Sequence, residues 1–186
     1  MAKRVCPFWL GYLLALPLRR CLHNPERILG PYVRAGMTVL DVGCAMGFFS
    51  LPLARMVGPG GKVVCVDVQE RMLRTLRKRA ARAGLAERIV PRLAGPSGPG
   101  LEDCDSSVDF ALAFAMVHEV PDVPALFTGI RRAMKPGAVC LVAEPRRHVS
   151  DDAFDRTLAV AAESGLATVG RPRVSWCHAA LLRKPE

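Results

Sequence analysis

A turn of small residues between an apolar run and a helical segment has the composition of a ligand-binding loop. It lies in the stretch LDVGCAMGFFS, residues 40–50. Gly43 and Gly47 let the backbone turn tightly and approach a ligand without an intervening Cβ. A dinucleotide-binding turn would read GxGxxG and place a pyrophosphate at a helix N-terminus. Here Ala45 takes the middle position and Asp41 precedes the turn, so its carboxylate would oppose a diphosphate and favour a cationic ligand.

A second carboxylate follows at the end of the next apolar run. Asp67 comes twenty residues after Gly47, where an acidic side chain is suited to accept hydrogen bonds from the 2′ and 3′ hydroxyl groups of a ribose. The two features together favour a nucleoside with a positively charged, amino-acid-like tail. S-adenosylmethionine fits that description.

These residues need a sheet to position them, and the hydrophobic pattern predicts one. Compact apolar runs bounded by Gly, Pro or Asp indicate five strands: Met37–Val42, Lys62–Val66, Arg88–Leu93, Val108–Phe114 and Ala138–Ala143. Stretches of helical length and spacing lie among them: Phe48–Val57, Gln69–Ala83, Val123–Met134 and Asp151–Ser164. The alternation predicts an α/β fold with a mostly parallel sheet and helices on both faces.

The end of the chain breaks the alternation. Leu166–Val174 and His178–Leu182 read as strands with no room for a helix between them, so we expect an antiparallel hairpin at one sheet edge. The prediction is therefore a Rossmann-like sheet of seven strands with an antiparallel last strand. Pro136-Gly137 is expected to end the preceding helix.

The first 36 residues precede the first strand, and we expect them to form an N-terminal helical cover to a domain over residues 37–186. Residues 5–18 form an apolar stretch that is shorter than the roughly 20 residues a membrane-spanning helix needs. Two roles remain open for it. It could close over the ligand cleft as a lid, or make a peripheral membrane contact beside Arg19 and Arg20.

Composition narrows the class of protein. A chain of 186 residues with 51% hydrophobic residues can bury a core, which argues against disorder. Seven cysteines with no C-x-x-C pair favour a reducing cytoplasmic location, and we expect no metal site. The formal charge of +9 permits an anionic partner. A nucleic-acid partner is not expected. The basic residues of the predicted helix Gln69–Ala83 have no aromatic residues among them and indicate a solvated face: Arg71, Arg74, Lys78 and Arg82.

The motifs resemble those of the class I S-adenosylmethionine-dependent methyltransferases. LDVGCAMGFFS is similar to their first motif and VVCVDVQERML to their second. SVDFALAFAMVHEVPD, MKPGAVCLVAEP and WCHAALLRKP are similar to their fourth strand, fifth strand and closing hairpin. The resemblance covers residues 25–184, and small ubiquinone and menaquinone biosynthesis methylases are the most similar in character.

The resemblance implies S-adenosylmethionine as cofactor, with one group of residues around it. The expected cofactor-binding residues are Asp41, Gly43, Cys44, Ala45, Gly47, Asp67, Val68, Met72, Leu93 and Phe114. Many relatives have Gly where this chain has Ala45, a methyl group that is tolerable if the backbone φ there is negative. For Met72 a position in the core is an equal alternative.

The acceptor side is less specific. His118 and Glu119 follow the fourth strand and combine an imidazole with a carboxylate, so we expect them to be catalytic. The alternative is a solvent-facing pair before Pro121. Glu144 and His148, after the fifth strand, are expected to bind substrate.

The sequence thus predicts methyl transfer from S-adenosylmethionine to a small-molecule acceptor. Methylation of a membrane-associated lipid or quinone is one alternative. A non-catalytic S-adenosylmethionine-binding protein is the other.

Overall fold

The computed structural model describes residues 19–95, 100–101 and 103–186. The chain divides into two compact units with a boundary after Gly100. We call the described residues up to Gly100 the N-terminal unit and those from Leu101 to Glu186 the C-terminal unit.

The N-terminal unit is built from parallel strands connected by helices. Its strands are β1 (Thr38–Val42), β2 (Lys62–Asp67) and β3 (Ile89–Leu93), with β2 paired in parallel to both others. Its helices are α1 (Arg19–Leu22), α2 (Pro25–Leu29), α3 (Ser50–Met56), α4 (Glu70–Arg82) and a 3₁₀ turn, Ala86–Arg88.

Helix α4 is amphipathic, which explains its place against the sheet. Its buried residues recur at helical spacing: Met72, Leu73, Leu76 and Ala80. The basic side chains of its other face are exposed, as expected for a solvated face: Arg71, Arg74, Lys78 and Arg82.

The C-terminal unit combines parallel and antiparallel pairing. Its strands are β4 (Val108–Phe114), β5 (Met134–Pro145), β6 (Ala167–Gly170) and β7 (Cys177–Arg183). Strand β5 pairs in parallel with β4 and antiparallel with β7, and β7 pairs antiparallel with β6. The helices are a 3₁₀ turn (Val117–Glu119), α5 (Val123–Ala133) and α6 (Asp151–Glu163).

The strands belong to a seven-stranded sheet in the order β3-β2-β1-β4-β5-β7-β6, flanked by helices. The predicted fold class is therefore confirmed, including the closing antiparallel hairpin.

The predicted end of α5, Met134, is one residue too late, and β5 begins at Met134 and not at the predicted Ala138. The helix ends at Ala133, where the N–H of Met134 still bonds back to Ile130, and Pro136-Gly137 lie inside β5. The pairing of β4 with β5 shifts register between Val108 and Phe110, so this end of the strand is irregular enough to include Pro.

The lid and membrane-contact alternatives for residues 5–18 fall outside the described residues. Within the part that is described, no helix has the length and apolar character that crossing a bilayer requires.

Candidate active site

The turn after β1 alternates left-handed backbone conformations. Gly43, Ala45 and Gly47 have φ values of 72°, 46° and 84°. A Cβ at Gly47 would lie 2.4 Å from Leu76 Cδ1, so this position needs glycine for both conformation and space. The first motif therefore forms a tight turn with its backbone close to α4.

Ala45 does not meet the condition under which its methyl group would be tolerable. Its φ is positive, so its methyl group is not accommodated by an ordinary right-handed backbone. The turn is instead held by Asp67, whose Oδ2 accepts a hydrogen bond from the Ala45 N–H at 2.9 Å. Asp67 Oδ1 accepts a second from the Gln69 N–H at 2.8 Å. The predicted ribose-binding carboxylate thus also ties the end of β2 to the turn.

Asp41 lies beneath the turn as a buried carboxylate. Ser50, the first residue of α3, donates its hydroxyl to Asp41 Oδ2 at 2.6 Å, and both side chains are buried. A buried carboxylate is costly unless it is hydrogen-bonded, so Ser50 stabilises the charge at this position. Ser50 was not among the predicted site residues, although its hydroxyl lies in the same motif as Asp41 and could have indicated a partner for that carboxylate.

The thiol of Cys44 reports the electrostatics of the turn. Burial raises the pKa of Cys44 well above its ordinary value of 9.0, and a hydrogen bond with Cys65 and the carboxylates of Asp41 and Asp67 raise it further. Cys44 therefore stays a neutral thiol. The carboxylates that oppose its ionisation would favour a cation at the same place.

Arg79 is a second residue that sequence reasoning missed. Its guanidinium donates to the carbonyl oxygen of Met46 in the turn, and burial lowers its pKa. The signal was its position: Arg79 follows Leu76 at helical spacing on the core-facing side of α4, where an arginine needs a partner.

The other predicted cofactor residues of the N-terminal unit differ in exposure. Val68 and Leu93 are exposed to 58% and 51%, although they are large apolar residues. They lie at neighbouring strand ends, because Leu93 is the register partner of Asp67. Met72 is buried, in the position that the core alternative predicts. Phe114 is a buried residue at the end of β4 in the C-terminal unit.

The C-terminal unit brings together the four predicted acceptor-side residues. Glu144, near the end of β5, contacts His118 Nδ1 through Oε2. Glu119 Oε1 lies 3.9 Å from His118 Nε2. The His148 ring stacks on the His118 ring with 5.6 Å between centroids and 1° between planes. His118 and Glu119 are therefore half-buried members of a cluster and not a solvent-facing pair.

Comparison with known proteins identifies a methyltransferase domain in this chain. A family model described as a methyltransferase domain matches residues 34–171. Nocamycin O-methyltransferase of Saccharothrix syringae is 37% identical over 103 residues, which cover 55% of this chain and 36% of that protein. Demethylmenaquinone methyltransferase of Symbiobacterium thermophilum is 32% identical over 120 residues, 63% of this chain and 47% of that protein. This chain therefore aligns with about half, or less, of the length of these relatives.

A solved structure supports the fold. The crystal structure of an S-adenosylmethionine-dependent methyltransferase from Aquifex aeolicus superposes with a TM-score of 0.87 at 24% identity, over 97% of this chain and all of that one. At that identity the similarity bears on the fold alone.

Proposed function

The chain belongs to the class I S-adenosylmethionine-dependent methyltransferases, and from this premise we propose that it transfers a methyl group from S-adenosylmethionine to a small-molecule acceptor. Two relatives are named for nocamycin and demethylmenaquinone, which supports a small organic acceptor. Both of these relatives are named as methyltransferases, so neither favours the non-catalytic alternative.

The observation that carries the proposal is the junction of Asp67 with the left-handed turn at Ala45. Each oxygen of a carboxylate can accept more than one hydrogen bond, so the Asp67 oxygens that accept the N–H groups of Ala45 and Gln69 can also accept ribose hydroxyls. The carboxylates that raise the pKa of Cys44 give the turn a negative potential, which suits the sulfonium and ammonium charges of the ligand. The residues present therefore fit the cofactor.

Exposed apolar side chains beside Asp67 support a position for the adenine ring of the cofactor. Val68 follows Asp67 directly, and Leu93 ends the neighbouring strand. Large apolar residues side by side at a strand end form a surface against which a flat adenine ring would pack, because burying them removes apolar area from water. We propose that Val68 and Leu93 pack against the adenine.

When bound, S-adenosylmethionine supplies an electrophilic methyl group on its sulfonium sulfur. The chain's own contribution is alignment and exclusion of water around that charge. In this proposal Asp41, Gly43 and Gly47 line the methionine portion, while Asp67 orients the ribose. His118, Glu119 and His148 serve the acceptor, and no metal ion is part of the proposal.

The test is calorimetric titration with S-adenosylmethionine and S-adenosylhomocysteine. Asp67→Asn should weaken both about tenfold or more, because one hydrogen bond to a charged group contributes roughly 1.5–3 kcal/mol. Glu87→Gln, which changes an exposed carboxylate of the same unit, is the matched control and should bind as the parent does. Absence of binding by the parent protein would contradict the proposal.

A membrane-associated quinone or lipid acceptor is the second candidate, favoured by the relative named for demethylmenaquinone. Cosedimentation of the full chain with vesicles of phosphatidylcholine and phosphatidylglycerol distinguishes a membrane-associated acceptor from a soluble small molecule. Retention on the vesicles supports a membrane-associated acceptor and the membrane-contact role of residues 5–18.

We further propose a cytoplasmic location. The described cysteines are free thiols, which is their usual state in a reducing compartment, and this supports the proposal.

A further inference from the structure

We propose that Glu144 is a positioning residue that holds His118 as a proton acceptor at Nε2, and that the acceptor substrate reacts through an acidic hydroxyl group of the phenol or enol class. The inference deepens the proposed methyl transfer and rests on it.

Glu144 is a carboxylate fixed from three sides. It is only 1% exposed, and its Oε1 accepts the backbone N–H groups of Met116 at 3.0 Å and Val117 at 2.9 Å. Met116 and Val117 lie at the start of the 3₁₀ turn that carries His118, so the carboxylate holds this turn in place. A buried carboxylate with this partner set has little freedom to move or to contact an acceptor itself.

The remaining oxygen determines the tautomer of His118. Glu144 Oε2 contacts His118 Nδ1, and an ionised carboxylate oxygen can only accept a hydrogen bond. Nδ1 must therefore carry the proton. In the neutral ring the lone pair is then on Nε2, the nitrogen that a general base uses.

The surroundings of the ring suit a group that gains a proton. The His118 side chain is 25% exposed, so an acceptor can approach it. Glu119 Oε1, at 3.9 Å from Nε2, and Glu144 together stabilise the imidazolium that forms. The stacked His148 ring covers one face of His118 and limits its rotation.

Cross-strand pairing fixes the segment that carries His148. Glu144 pairs with His178 across β5 and β7, and His178 Nε2 bonds the carbonyl oxygen of Val149 at 3.1 Å. Asp151 Oδ1 lies 3.2 Å from His178 Nδ1 at the start of α6. Among the described residues, the charged and titratable groups that contact His118 include Glu119, Glu144 and His148, and His178 and Asp151 lie behind them.

The chemistry balances with these groups alone. The hydroxyl proton of the acceptor moves to His118 Nε2, and an oxygen lone pair forms the O–CH₃ bond. The S–CH₃ bond of S-adenosylmethionine breaks with its electron pair kept by sulfur, which leaves S-adenosylhomocysteine. The positive charge of the sulfonium thus ends on the imidazolium, which returns its proton to water.

A positioned base matters for a hydroxyl more than for other acceptors. A neutral amine attacks with its lone pair before it loses a proton, and a thiol ionises more readily than a phenol. A phenol is mostly protonated at neutral pH, so proton removal contributes directly to its rate. The buried arrangement around Glu144 therefore fits a phenol or enol.

The first arm of the test reads the tautomer without any acceptor. The chain has four histidines, so ¹⁵N-histidine labelling with long-range ¹H–¹⁵N spectra resolves them, and His118→Asn assigns the His118 signals. The parent should show Nδ1–H for neutral His118. Glu144→Gln should shift it toward Nε2–H, because the amide NH₂ then faces Nδ1. Glu163→Gln, which changes an exposed carboxylate of α6, is the matched control and should leave the tautomer unchanged.

The second arm measures methyl transfer with radiolabelled S-adenosylmethionine to 4-methoxyphenol, 4-chlorophenol, 4-cyanophenol and the enol 4-hydroxycoumarin, with thiophenol and benzylamine for comparison. Glu144→Gln and His118→Asn should each lower kcat for the phenols about 100-fold, a typical contribution of a general base. The loss should shrink as the phenol becomes more acidic. The rise of the parent's rate with pH, as the imidazole loses its proton, should disappear in His118→Asn.

The outcomes separate the two proposals. If S-adenosylhomocysteine does not bind the parent, the proposed function fails and the inference fails with it. If it binds equally to the parent and Glu144→Gln, three results overturn the inference alone. These are an Nε2–H tautomer in the parent, phenol rates unchanged by both substitutions, and transfer to sulfur, nitrogen or carbon but to no hydroxyl in the panel.

Discussion

The carboxylate of Asp67 accepts a 2.9 Å hydrogen bond from the backbone N–H of Ala45, 22 residues earlier in the chain. This bond joins the end of β2 to a turn that has adopted left-handed backbone conformation at a residue with a Cβ. The same carboxylate is the proposed partner of the ribose. If Asp67 binds the ribose as proposed, the stability of the turn and the affinity for the cofactor depend on the same side chain.

The conformation of Ala45 predicts that Ala45→Gly stabilises the protein. Left-handed backbone costs a non-glycine residue roughly 1–2 kcal/mol, and glycine loses about 0.5–1 kcal/mol of that gain through its more flexible unfolded state. We expect a net gain of up to about 1.5 kcal/mol in the free energy of unfolding, measured by urea denaturation. Ala81→Gly, at an exposed site in α4, should lose about 1 kcal/mol, and equal losses in both variants would refute the strain at Ala45.

Gly47→Ala should have the opposite effect. Its Cβ would lie 2.4 Å from Leu76 Cδ1 and its φ of 84° disfavours any side chain, so we expect a loss of roughly 1–3 kcal/mol and weaker binding of S-adenosylhomocysteine. The loss should be smaller when Gly47→Ala is made in a Leu76→Ala background, because the clashing atom is gone. Gly60→Ala, where the added Cβ meets nothing within 4 Å, is the control. Strictly additive losses would argue against the clash.

Arg79→Ala should weaken cofactor binding more than it lowers stability. The substitution removes the donor that holds the Met46 carbonyl, so the turn of the variant is more flexible before it binds the cofactor. Binding must then order the turn, which costs free energy that the parent protein does not lose. We expect affinity for S-adenosylhomocysteine to fall about tenfold by calorimetry, equivalent to one hydrogen bond of a charged group. Arg82→Ala, on the exposed side of the same helix, should have no effect, and equal affinities for both variants would contradict the role of Arg79.

The buried thiol of Cys140 predicts loss of stability at alkaline pH. Burial raises its folded-state pKa from 9.0 to about 12, so above pH 9 the unfolded state releases a proton that the folded state retains. The free energy of unfolding should therefore fall as pH rises from about 9 toward 12, by at most about 1.4 kcal/mol per pH unit from this thiol.

Cys140→Ala should reduce that slope, measured by urea denaturation between pH 8 and pH 10.5. The exposed thiol of Cys21 provides the comparison, and Cys21→Ala should leave the slope as it is. A slope that Cys140→Ala does not change would assign the effect to other groups.

Much of the proposed cofactor region could be predicted from local sequence. Gly43, Gly47 and Asp67 were predicted because a strand-turn-helix segment and the end of the next strand each have a recognisable pattern within a few residues. The strands and most helix boundaries followed from the same local periodicity. The misplaced end of α5 arose where Pro136-Gly137 resembled a helix stop but lay in the irregular start of β5.

The sequence by itself determined the order of the helices and strands and the residues that form the turn after β1. It also showed that four titratable residues follow strands: His118, Glu119, Glu144 and His148. Only the tertiary structure decided which side chains contact each other. Glu144 meets His118 across 26 residues of chain and Arg79 meets Met46 across 33, contacts set by strand register and helix packing. Periodicity encodes which face of an element is buried, but not which distant partner that face meets, because the partner depends on how the whole chain closes around its core.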